Sequence, residues 1–170
     1  MIVTYCPHCW AEIPRGSPHC PYCGRPVETE GEDYVDKLLA SVHHPEPTRA
    51  GLAIHILSEM LAEPRAVVPL IGLLDTACDT GVLSAAVVGL GRLGDPRAVP
   101  ALARLLGDPE TPLVARAAAV RALARIGGDE ARAALQRALG DHSITVRERA
   151  RRALARDGKD VDALSGKAGA

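Results

Sequence analysis

Four of the chain's five cysteines fall in one stretch of nineteen residues, CPHCWAEIPRGSPHCPYCG, from Cys6 to Gly24. Their spacing is two Cys-x2-Cys turns separated by ten residues: Cys6 and Cys9, then Cys20 and Cys23. Each turn offers a thiolate pair, and two pairs converging at about 2.3 Å from one ion complete a tetrahedral shell. Four sulfurs leave zinc no open position for water or substrate, so the expected role is structural, with one ion per chain. A rubredoxin-like iron site and a disulfide or redox pair use the same ligands, but in a reducing compartment paired thiols serve metals more often than staples. His8 and His19 each stand beside a better-placed cysteine and are not expected as ligands. Cys78, in DTACDTG, has no nearby partner and reads as a small residue near a helix end.

Proline follows the first cysteine of each pair (Pro7, Pro21), and Gly24 follows Cys23, where positive φ turns backbone amides toward sulfur. The spacing predicts two short hairpins built alike, joined by a turn at Ile13-Pro14-Arg15-Gly16. So small a unit cannot bury a sufficient core, and structural zinc supplies about 10–16 kcal/mol of folding free energy to such modules. Residues 4–27 resemble the short zinc-ribbon modules that begin many bacterial and archaeal proteins, through CPHC, AEIP, a glycine and CPYCG. Trp10 departs from that pattern, standing where the family carries glycine.

The elements that follow are of another kind. Aromatic residues make up 2% of the chain, Phe is absent, and Tyr5, Trp10, Tyr22 and Tyr34 are the whole aromatic complement, so the rest must pack an aliphatic core. The composition shift sets the expected organisation: a ribbon over 1–27, an acidic linker over 28–32 (ETEGE), a repeat region over 33–156 and a loosely ordered tail over 157–170. The repeats are EPRAVVPLIGLL at 63–74, DPRAVPALARLL at 95–106 and DEARAALQRALG at 129–140, spaced as helix–turn–helix units of a solenoid are. Between them RAGLAIHILSEML (49–61), SAAVVGLGRLG (84–94), RAAAVRALARIG (116–127) and RERARRALAR (147–156) carry apolar residues at i, i+3, i+4 and i+7.

Helices are therefore expected over 33–42, 48–61, 64–75, 81–93, 96–106, 112–126, 129–139 and 143–156. Asp95-Pro96 and Thr111-Pro112 read as caps with proline at the first helical position, and Gly94, Gly127 and Gly140 as stops. The fold class is all-α: an α-solenoid of about four helix pairs with a small N-terminal ribbon of β-hairpins. Residues 34–156 resemble the HEAT-like repeats, through DHSITVR (141–147), LGRLGDPRAVPAL (90–102) and RAAAVRALARIGGDE (116–130). That resemblance implies a ladder contact between Asp141 and Arg147 tying successive repeats. Arg49, Arg116 and Arg147 hold the family's arginine position, whereas the second repeat has Leu83 or Ser84 there.

No constellation for catalysis emerges, and the chain reads as a non-enzyme. His55 and Glu59, four apart, read as a solvated pair. His43 and His44 read as solvated loop residues. GLGRLG at 89–94 has dinucleotide-like glycine spacing but ends a helix instead of following a strand. The absence of an apolar run of about 18 residues argues against a membrane span, and the cysteine usage places the expected protein in the cytoplasm.

Charge is unevenly laid out. Residues 33–96 carry four basic and eight acidic side chains, whereas residues 97–156 carry twelve arginines against six acids. On the last helix Arg149, Arg152 and Arg156 share one side, and Arg97, Arg104, Arg132 and Arg137 add to the excess. The sequence thus points to a non-catalytic scaffold for protein–protein interaction, with Trp10 and Tyr22 as candidate anchors on the ribbon and these arginines as candidate contacts. Nucleic-acid binding through the same arginines is the alternative. A bilin-lyase-like activity is implied only by resemblance to some similar repeat proteins.

Overall fold

The structure is a computed structural model that describes residues 3–6, 9, 11–14, 16–27, 34–77 and 79–165, with the backbone alone at 3–5 and 157–165. Trp10, Cys78, His8 and the linker at 28–32 lie outside the described residues.

Among the described residues eight α-helices form where apolar periodicity predicts them: α1 Tyr34–Ser41, α2 Pro47–His55, α3 Val67–Thr76, α4 Thr80–Leu93, α5 Val99–Gly107, α6 Leu113–Ile126, α7 Asp129–Arg137 and α8 Ile144–Ser165. Successive even-numbered helices pack on one another, α2 on α4, α4 on α6 and α6 on α8. A second layer runs α3, α5, α7, so the helices stack as a solenoid of antiparallel pairs. Between the layers the largest fully buried side chains are aliphatic, among them Ile54, Leu57, Leu70, Leu90, Leu102 and Leu123. No helix among the described residues is long and apolar enough to cross a membrane.

Starts and stops follow local chemistry. The Glu63 and Asp95 carboxylates accept from the N–H groups of Arg65 (3.0 Å) and Arg97 (2.9 Å) and open 3-10 turns at Pro64–Ala66 and Pro96–Ala98 that lead into α3 and α5. Gly94 closes α4 at φ 68°, a left-handed conformation without steric cost for glycine. Three expectations are corrected. Thr111 is no cap, since its hydroxyl donates to Asp108 (3.3 Å) and Pro112 occupies the cap position. The stretch 49–61 is not α-helical throughout: α2 passes into a π turn at Ile56–Met60, where Leu61 N–H reaches the carbonyl five residues back (3.0 Å). Finally, the backbone of α8 runs nine residues past 156, because 157–165 contains no proline and its one glycine costs a helix only about 1 kcal/mol.

His44 is buried, not solvated; its Nδ1 accepts from Glu46 N–H (2.9 Å), and desolvation lowers its pKa. His43 is exposed. Glu59 pairs with Arg92 of α4 (2.9 Å), a partner that helical spacing within 49–61 did not indicate.

Two contacts hold the even-numbered layer. The first is backbone proximity: a Cβ placed on Gly91 of α4 would lie 2.7 Å from Cα of Ala122 on α6. The second is a buried ion pair. Arg116 Nη1 donates to Asp141 Oδ2 (2.8 Å), with 4% and 8% of the two side chains exposed. Arg116 Nη2 reaches His142 Nε2 (2.8 Å), and since an arginine only donates, that nitrogen accepts. The ladder expected from Asp141 to Arg147 is thus rearranged. The Asp141 carboxylate takes Arg116 of the preceding repeat, while Arg147 donates to the carbonyls of Asp141 (2.8 Å) and His142 (3.0 Å).

Gly91→Ala is expected to destabilise by about 1–3 kcal/mol through overpacking. Gly72→Ala, in α3 with nothing within 4 Å of the added carbon, should stabilise slightly; urea melts of both variants check the contrast. Asp141→Ala, which strands a buried guanidinium, should cost about 3–5 kcal/mol in the same melts.

Candidate metal centre and arginine groove

The ribbon is built from two knuckles of matching geometry. Strands β1 Val3–Tyr5 and β2 Glu12–Pro14 pair antiparallel around the first, with Thr4 opposite Ile13. An isolated antiparallel bridge between His19 and Pro26 brackets the second. In each, the first cysteine donates its N–H to the carbonyl five residues on: Cys6 to Ala11 (3.0 Å) and Cys20 to Arg25 (2.8 Å). Ile13 and Pro14 belong to β2 and not to the connecting turn, which starts with Ser17 N–H bonded to the Pro14 carbonyl (3.2 Å). Beneath the knuckles Cys6, Cys20 and Ile13 are buried, with Val27 against them.

This frame brings Cys6, Cys9, Cys20 and Cys23 together, their sulfurs all within 4.8 Å of one another. Cys6–Cys23 and Cys9–Cys20 stand 3.7 and 3.5 Å apart, too far for disulfides and close to the edge of about 3.8 Å that a sulfur tetrahedron with 2.3 Å metal bonds requires. Tyr22 N–H points at the Cys20 sulfur (3.4 Å) in the knuckle that Gly24, at φ 71°, closes. The Cys9 thiol is pushed up to about 12: the Ala11 amide pulls it down, but burial and the sulfurs of Cys20, Cys23 and Cys6 together outweigh that pull. Four thiolates cannot share so small a space without a cation, so the cluster is chemically a site for one metal ion. Tyr22, 73% exposed, projects from this unit.

The arginines sort into two groups. Arg97 and Arg104 are engaged by Asp95 (2.7 Å) and Asp75 (3.0 Å), and Arg137 is exposed at the end of α7. The others converge. Arg132 of α7 and Arg149, Arg152 and Arg156 of α8 border a groove of about 1000 Å³ that crosses α4, α6 and α8. Arg92 of α4 with Arg121 and Arg125 of α6 complete the rim; sequence reasoning did not single these out, although Arg121 and Arg125 have the i, i+4 spacing of one helix face. What hid the cluster is that its members come from four helices. Glu148 is the one acidic side chain on the lining, and it pairs with Arg151. Among the described residues Arg121, Arg125, Arg149, Arg152 and Arg156 have no carboxylate partner. Val88 and Ile144, both exposed, add apolar surface between the charges. Small residues (Gly91, Ala118, Ala122, Ala153) are among those that line the groove.

Comparison with known families gives two matches: residues 35–119 match the family described as HEAT repeats, and residues 115–141 match the PBS lyase HEAT-like repeat. No curated protein matches the chain.

Removing the metal by chelation should abolish hairpin order in the ribbon, leave the helical circular-dichroism signal in place, and release one ion per chain by elemental analysis.

Proposed function

Because the chain belongs to the HEAT-repeat family, we propose that it is a non-catalytic cytoplasmic scaffold that holds a protein partner on its helical layers, with a zinc-bearing ribbon as a second rigid contact. In this reading residues 1–27 and 33–156 are separate units joined by the linker at 28–32, and Cys6, Cys9, Cys20 and Cys23 hold zinc structurally. HEAT repeats commonly mediate protein interactions, which is the ground for the class of function. The observation that carries the reading to this chain is the arginine groove: a continuous, solvent-open recess with a large excess of one charge. Like charges on neighbouring helical turns repel, each pair costing about 0.2–0.5 kcal/mol, and an opposing surface relieves that cost. Tyr22, with its ring exposed beside the metal knuckle, has the chemistry of an interface anchor, and Trp10 is proposed beside it.

The arginine excess also supports a second reading, nucleic-acid binding, which differs in its salt response. Affinity purification of the tagged chain over a range of salt concentrations separates the two. The scaffold reading expects one protein recovered in stoichiometric amount at physiological salt. Recovery of nucleic acid alone, lost steeply as salt rises, overturns it.

A further inference from the structure

We propose that the groove across α4, α6 and α8 receives a single acidic, amphipathic α-helix from the partner. The proposal rests on the scaffold reading and adds the occupant's chemistry.

Size comes first. A helix about 11 Å across occupies about 510 Å³ per turn, so an open recess of about 1000 Å³ seats one face of a helix at least about two turns long. The charge pattern has the same length. Arg149, Arg152 and Arg156 fall at i, i+3 and i+7 on α8 and span about 10.5 Å, against about 10.8 Å for two helical turns. Carboxylates at i, i+3 or i+4, and i+7 on a docked helix repeat at that same interval. The adjacent helix offers Arg121 and Arg125 at i, i+4 on α6, so a second row of carboxylates is matched as well.

Chemistry comes next. Apart from Glu148, which is paired with Arg151, the charged groups facing the groove are arginines, whose planar fork binds a carboxylate through two parallel hydrogen bonds. The same lining includes Val88, Ala124, Ile144 and Ala153, which give an apolar stripe something to cover. That mixture separates the candidates. A phosphate backbone has no use for exposed valine and isoleucine, and the groove has no aromatic side chain on which a base would stack. An acidic helix with a leucine stripe satisfies both halves of the lining at once.

The test uses the full metal-loaded chain and three fluorescent probes: a stapled helical peptide with glutamates on two flanks of a leucine stripe, the same composition scrambled, and a short DNA duplex. Anisotropy titrations are expected to favour the patterned peptide at least about 10-fold over the scramble and over the duplex. Arg121→Glu with Arg152→Glu, both exposed positions, should weaken it at least about 10-fold with unchanged circular dichroism. The milder pair Arg149→Gln with Arg156→Gln should weaken it in the same direction. Equal binding of patterned and scrambled peptides, tighter binding of the duplex, no binding of the patterned peptide, or indifference to both variant pairs overturns the proposal. Failure here stays distinct from failure of the scaffold reading: a native protein partner captured equally by the charge-reversed variant leaves the scaffold standing and removes the groove as its seat.

Discussion

Close approach of α4 and α6 is the constraint from which the rest follows. With no Phe in the chain and few aromatics, bulk is not available to fill wide gaps, so the helices must come together on small residues. Gly91 against Ala122 is the tightest of these meetings. On the closed layer the groove is lined by glycine and alanine together with the arginines that form its rim.

Arginine plays two opposite parts within that layer. Arg116 is withdrawn from water and answered by Asp141 and His142, which ties α6 to the turn before α8. A buried pair of this kind gives little net stability, because desolvation offsets most of the attraction, but it fixes register: losing one partner strands the other. The rim arginines are the reverse case, exposed or, at Arg132 and Arg149, half-buried, and with few carboxylates beside them. The rung at Arg116 thus ties α6, which carries Arg121 and Arg125, to the turn that leads into α8, which carries Arg149, Arg152 and Arg156. At the other end of the chain, four cysteines converge on one point, with Cys6, Cys20 and Ile13 buried beside it.

Much of this was legible beforehand, for physical reasons. Metal-ligand spacing is local, so Cys6, Cys9, Cys20 and Cys23 were readable as one set, and the matching knuckles follow from the repeated Cys-Pro-x-Cys. Helix positions were readable because apolar period and Asp95-type caps are local too. Long-range geometry was not. The partner of Asp141 lies twenty-five residues upstream, and a family resemblance pointed instead to the nearer Arg147. His44 is a loop residue as read, but it looked solvated because burial leaves no mark on HHPEP. In the π turn after His55, Ser58 bonds the Ile54 carbonyl one turn back (2.7 Å), and apolar periodicity, which both helix types share, does not mark the change. The GLGRLG stretch was correctly placed at a helix end, but its glycines at 89 and 91 prove to be contact points with Ile54, Ser58, Leu70 and Ala122.

Hydrogen exchange followed by mass spectrometry tests the central claim, that the even-numbered helices form one closely packed layer extending to α8. Amides of α4, α6 and residues 144–156 are predicted to exchange together, and slowest in the chain, as one cooperative unit opening only on global unfolding. Exchange of residues 144–156 at the rate of an unstructured peptide, while α4 and α6 stay protected, would contradict it, because the groove would then lack a wall.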